Sequence, residues 1–235
     1  MKKIVITFHK LIFPILMLMF KSINAHKIIR YNDLPKIKGN VIFAVNHSCK
    51  YDVPYTCQAI KRHTYLLAGQ QPLELADRIV FYLLGTVWVD RKSKEDKKKS
   101  VGEMVDLLSN GANLIIFPEG TWNLTPSKPM LPLYWGIIDI SRSTQKPIVP
   151  IVLEYTKDKC YVAFGDPISI SQKDDKGKKI NDLADVFATL KWSIWEKYDD
   201  TGYDTLNDWE NEVKRRLEEY PKLDIEYEKS IIRKV

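Results

Sequence analysis

In the segment NHSCKYD, His47 and Asp52 stand with four residues between them, and both are residue types that move or orient protons. Neighbours on a regular helix lie three or four positions apart, so this spacing does not pair the two side chains on one helix face. A strand end, a turn and the first residues of a helix would bring them face to face. Asp52 then accepts a hydrogen bond from one imidazole nitrogen, which fixes the tautomer and leaves the other nitrogen as a base. Such a base takes the proton of a substrate hydroxyl. The hydroxyl oxygen attacks an acyl thioester, with no serine nucleophile and no acyl-enzyme. Cys49 offers a competing chemistry, as the nucleophile of a thioesterase or Cys-based transferase, but residues that close in sequence seldom have the geometry for attack. The His-x4-Asp spacing alone is a weak signal and needs other polar clusters beside it.

The elements that would position the pair can be read from short apolar runs alternating with longer helical patterns. The runs are Val41–Val45, Thr64–Ala68, Thr86–Val89, Leu114–Phe117, Ile148–Leu153 and Tyr161–Phe164. The first five lack clean alternation, as strands covered on both faces do. Residues 96–108, with Val101, Met104, Val105 and Leu108 on one face, predict a charged helix. Two further stripes follow within 178–220, one from Ile180 to Ile194 and one through Leu206, Trp209, Val213 and Leu217. The residues Gln172–Lys179 read as a solvated loop between helices. The expected fold class is α/β, a single domain whose central, mostly parallel or mixed sheet carries helices on both faces.

Three of the runs end in polar residues: Asn46-His47, Asp90-Arg91, and Pro118-Glu119-Gly120-Thr121. The carboxyl ends of strands form the ligand edge of an α/β sheet, so the three clusters are expected to converge. Gly120 lets a backbone approach a ligand, Glu119 accepts hydrogen bonds from hydroxyls, and Arg91 grips a phosphate. Read singly, Asp90-Arg91 is equally a surface ion pair and Pro118-Glu119-Gly120 equally a polar turn.

Taken in order, these segments resemble the four blocks of the lysophosphatidate (1-acyl-glycerol-3-phosphate) acyltransferase family. Asn46, His47 and Asp52 match its N-H-x4-D block. Gly85, Asp90 and Arg91 match G-x-x-F-I-D-R, with Trp88 at an aromatic position, and Phe117 to Thr121 match F-P-E-G-T. Val149-Pro150-Ile151 is similar to the fourth block, so the resemblance spans about residues 40–153. It implies acyl-CoA or acyl-carrier protein as donor and co-substrate, with no further cofactor. It also implies His47 as general base, Asp52 as its orienting partner, and Asn46, Arg91, Glu119, Gly120 and Thr121 around the acceptor's glycerol-phosphate end. Trp122 and Trp135 depart from the family pattern, standing where it commonly has arginine and lysine. Both are expected at the acceptor site, where their flat apolar faces would suit a lysolipid or glycolipid with a less charged head group; packing in the core is the plainer reading. A non-catalytic lipid-binding protein on the same fold is a further alternative.

At 235 residues, with 45% apolar content, the chain is long enough for a real core. A formal charge of +6 calls for anionic partners. The lysines at 92, 94 and 97–99 lack interleaved aromatics, which argues against nucleic acid and for a solvated or membrane-facing patch. Cys49, Cys57 and Cys160 form no C-x-x-C pair, and the histidines lack metal-ligand spacing, so neither a disulfide framework nor a metal site is expected. That usage suits a reducing compartment.

Residues 11–20 are apolar on every side and flanked by Lys10 and Lys21, with Lys2 and Lys3 upstream. As a helix they cover about 15 Å, half a bilayer's hydrocarbon core. Pro14 is expected to kink any longer helix. Lys21 and Ile23 fit a cleaved signal poorly. Two readings stand: a helix buried in the core, or, preferred, an interfacial anchor over residues 1–30 that holds the domain of residues 31–235 on the cytoplasmic face of a membrane. Membrane lipid and the acyl donor are then the partners.

Overall fold

The computed structural model describes residues 2–71, 73–125, 128–198 and 206–219, excluding the side chains of residues 2–4, Leu206 and Glu219. The fold follows from strands whose alternate residues are apolar in both directions. In β2 (Ile42–Val45), Ile42 and Ala44 pack into one core while Phe43 and Val45 pack into another, and all four are 0% exposed. A strand buried on both faces needs a helix layer on each side. One layer is α4 (Lys94–Ser109), α5 (Gly136–Thr144) and α6 (Lys176–Tyr198), through residues such as Leu108, Ile138 and Phe187. The other contains α1 (Lys2–Lys21), α2 (Asp52–Ile60) and, more loosely, α3 (Leu75–Leu83), through Phe13, Leu16, Tyr55 and Val80.

Seven strands form the sheet, in the order β1-β7-β6-β2-β5-β3-β4. They are β1 (Lys27–Arg30), β2, β3 (Thr64–Gly69), β4 (Val87–Val89), β5 (Asn113–Ile116), β6 (Ile148–Tyr155) and β7 (Lys159–Phe164). Every neighbouring pair is parallel except β6 with β7, which is antiparallel. The carboxyl ends of β2, β5, β3 and β4 therefore share one edge. The sequence reading gave the six apolar strands but not β1, whose residues KIIR are too short and too charged at the ends to stand out.

Two expectations change. Residues 172–179 are not one loop between helices: α6 already begins at Lys176, and the segment before it leads from β7. Helix α1 is longer than the apolar run and continues through Pro14, whose missing N–H falls on the exposed side. No described helix is long and apolar enough to cross a membrane. Instead α1 buries one stripe, Ile6, His9, Phe13, Leu16 and Phe20, and exposes Val5, Phe8, Leu11, Ile15 and Leu18 on the other side. His9 pins it in place, its Nδ1 2.6 Å from His63 Nε2 and its Nε2 donating to the Leu83 carbonyl at 2.7 Å. The exposed Lys10 and Lys21 flank the outer stripe; the Lys2 and Lys3 side chains lie outside the described residues.

Candidate active site

His47 follows β2 at the middle of the sheet, and the turn Ser48–Tyr51 leads at once into α2, whose first residue is Asp52. This places the imidazole Nδ1 2.7 Å from Asp52 Oδ2. Oδ2 also accepts the backbone N–H groups of Ser48 at 2.6 Å and Cys49 at 2.9 Å, while Tyr155 donates its hydroxyl to Oδ1 at 2.7 Å. A carboxylate met by donors alone acts as the acceptor, so Nδ1 carries the proton and Nε2 is left with its lone pair. The helix N-terminus adds its positive end to the same carboxylate. Asp52 is 0% exposed, whereas the His47 side chain keeps 20% of its surface. The imidazole reaches the cavity and the carboxylate does not.

Several neighbours hold His47 in place. Glu119 Oε1 accepts the His47 N–H at 2.8 Å, and Oε2 accepts that of Leu131 at 2.8 Å. Asn123 N–H donates to the His47 carbonyl at 2.7 Å. The ring of Phe117 stacks on the imidazole at 4.2 Å, and Trp122 meets it edge-on at 6.1 Å. Burial pushes the Glu119 carboxyl up to about 7, opposed by its two backbone donors.

A cavity of about 1120 Å³, mainly apolar, opens in front of His47. Arg91, Gly120, Thr121, Trp122 and Trp135 line it, so five of the residues expected around the acceptor do share one space with His47. Arg91 is carried there by the turn after β4. Asp96 Oδ2 accepts the Asp90 N–H at 2.5 Å, and Ser93 caps α4 by accepting the Asp96 N–H at 3.1 Å, a cap worth about 1 kcal/mol. The Arg91 guanidinium lies so close over Gly69 that a Cβ there would come within 3.0 Å of it. Gly120 has φ +73°, and a side chain on it would collide with the Tyr134 ring. Trp135 is 52% exposed at the cavity edge, which rules out the core-packing reading for it.

Two expected site residues face elsewhere. Glu119 is 0% exposed with both oxygens taken by backbone donors, so it braces the loops and does not meet substrate hydroxyls. Asn46, 1% exposed, spans to β6, its amide donating to the Leu153 carbonyl at 2.9 Å and accepting the Leu153 N–H at 2.7 Å. Their motif positions are legible in sequence. Which way each side chain turns is not. Tyr155 was missed altogether because it ends a buried strand and nothing local marks it.

Cys49 is buried 3.7 Å from Asp52 Oδ1, and burial first, then the Asp52 charge, push its thiol up. A thiol so disposed is a poor nucleophile. Among the described residues, no group of histidine, cysteine and carboxylate side chains could hold a metal.

Open α/β sheets host unrelated chemistries, so the fold alone does not define the class of this protein. The pattern of the family described as Acyltransferase matches residues 23–154, more than half of the chain, and the chain belongs to that family. Among solved structures, the fold is similar to that of the 1-acyl-sn-glycerophosphate (LPA) acyltransferase PlsC from Thermotoga maritima. The TM-score is 0.59 at 18% identity, over 79% of each chain. No curated protein matches the sequence.

Proposed function

We propose that this acyltransferase moves a fatty acyl group from acyl-CoA or acyl-carrier protein to the free hydroxyl of a lysophospholipid, with 1-acyl-glycerol-3-phosphate as acceptor and phosphatidate as product. The observation that carries the reading is the His47–Asp52 pair, with Nε2 hydrogen-bonded to none of the described residues, at the mouth of a large apolar cavity. Nε2 takes the acceptor's hydroxyl proton as its oxygen bonds to the thioester carbonyl carbon. The C–S bond then breaks, and the imidazolium returns the proton to the departing thiolate. Asp52 steadies the imidazolium in between. Arg91, a cation on the cavity wall, supplies the contact for the acceptor phosphate.

The apolar outer face of α1 supports a peripheral site of action on the cytoplasmic face of a membrane. Leu75, Ile79 and Tyr82 of α3 extend that exposed apolar surface, and Met19, Phe20, Val80 and Phe81 carry the cavity wall to the same two helices. A lipid substrate would reach His47 without crossing water.

A second acceptor reading rests on Trp122 and Trp135, which bring flat apolar surface to the cavity. They favour a lysolipid or glycolipid with a larger, less charged head group. The purified protein, offered labelled acyl-CoA and a panel of lysophosphatidate, other lysophospholipids and neutral glycolipids, decides between them by product mass. Preference for lysophosphatidate upholds the first reading and rejects the second; acylation of no acceptor rejects both.

A further inference from the structure

Helix α7 (Leu206–Glu219) lies outside the segment matched by the family, yet one of its faces belongs to the site. Trp209, Val213, Arg216 and Leu217 recur at helical spacing. Val213 and Leu217 line the cavity in front of His47. Arg216 beside them is only 6% exposed, and its Nη1 donates to the Ser48 carbonyl at 2.9 Å. One turn back, Glu212 Oε1 accepts from Arg216 Nε at 2.8 Å, and the guanidinium carbon sits 5.8 Å from the centre of the Trp209 ring. A guanidinium held this way is a fixed post, unlike a mobile surface charge.

The peptide unit it grips is a particular one. The Ser48 carbonyl and the Cys49 N–H belong to the same planar trans peptide, so they point in opposite directions and turn together. Arg216 holds the oxygen end, while the N–H end donates at 2.9 Å to Asp52 Oδ2, the oxygen that also faces His47 Nδ1. A charged donor on the carbonyl also polarises the peptide and strengthens its N–H as a donor.

We infer that Arg216 is a positioning residue for the His47–Asp52 pair, and that α7 is the wall that bounds the acyl chain in the cavity. The inference rests on the proposed general-base acyl transfer. The test uses the full chain with whichever acceptor of the lysolipid and glycolipid panel the wild-type protein acylates, and a medium-to-long series of acyl-CoA thioesters. Arg216→Ala is expected to lower kcat about tenfold or more, while KM for both substrates stays within about twofold. Arg216→Lys, which keeps a donor and a charge, recovers part of the loss, and near-UV circular dichroism gives the folded fraction of each. Leu217→Trp, which fills the cavity, shifts preference toward shorter chains. Wild-type kcat in Arg216→Ala, or a loss only in proportion to its unfolded fraction, overturns the positioning role. An unchanged chain-length profile in Leu217→Trp overturns the wall. A wild-type protein inert toward every acceptor overturns the proposed function, and this inference with it.

Discussion

Asp52 is a buried carboxylate that meets only donors among the described residues, and Tyr155 is the one that no sequence motif marks. Burial and the neighbouring Asp52 charge hold the Tyr155 hydroxyl protonated, as its role as donor requires. Tyr155→Phe keeps the ring, removes that bond and leaves the Oδ2 side of the carboxylate served. The loss of one charge-assisted hydrogen bond predicts kcat about tenfold lower, with a stability loss of about 1–3 kcal/mol. Steady-state kinetics beside thermal melts would check both; an unchanged kcat would show that Tyr155 only fills space. At this scale the sequence was a fair guide to residue types. His47 and Asp52 meet as their spacing suggests, and Arg91, Gly120, Thr121, Trp122 and Trp135 line the same cavity. Asn46 and Glu119 could not be read correctly, because a polar residue after a buried strand can turn toward ligand or backbone, and only the fold decides.

Between elements, Glu119 ties the turn after β2 to the segment that carries Leu131. Its proton linkage has a definite sign. The folded carboxyl keeps its proton to about 7, against an ordinary 4.5, so between those values the folded state binds more protons than the unfolded. Stability is therefore expected to fall as pH rises through that window, by up to about 3 kcal/mol from this group. Glu119→Gln removes the titration, so the slope between the two pH values should flatten. It also sets an amide N–H₂ against a backbone N–H, which costs about 1–3 kcal/mol at low pH. Denaturant melts across pH measure both effects, and an unchanged slope in the variant would place the titration elsewhere. The strands that carry these loops were legible because residues buried on both faces read as unbroken apolar runs. Strand β1 was not, since its pairing with β7 is made by backbone and its side chains carry little of the pattern. The reach of α7 into the site was half legible: Val213 and Leu217 stand out as an apolar stripe, but Arg216 looks like any surface charge on a highly charged helix.

At the scale of the whole molecule, α1 packs one face on the domain and leaves the other exposed. Its inner stripe and the His9 contacts fix it on the core, as the buried-helix reading expects, and its outer stripe is apolar and exposed, the surface on which the proposed interfacial role rests. The run read as uniformly apolar is two faces, one packed on the core and one exposed. Phe8→Ser, Leu11→Ser and Ile15→Ser together remove exposed apolar surface and should leave the fold unchanged within about 1 kcal/mol. Cosedimentation with anionic phospholipid vesicles should be largely lost, while acylation of micelle-dispersed acceptor persists. Undiminished vesicle binding would remove this face from the membrane account.

The claim on which the rest depends is that His47 is the base. The direct measurement is kcat of His47→Ala with acyl-CoA and lysophosphatidate, alongside its affinity for both and a search for acylated protein by intact mass. The account predicts a fall of about a thousandfold, with substrate binding kept and no acyl-enzyme in either protein. Transfer by His47→Ala at the wild-type rate, or an acyl group trapped on Cys49, would contradict it.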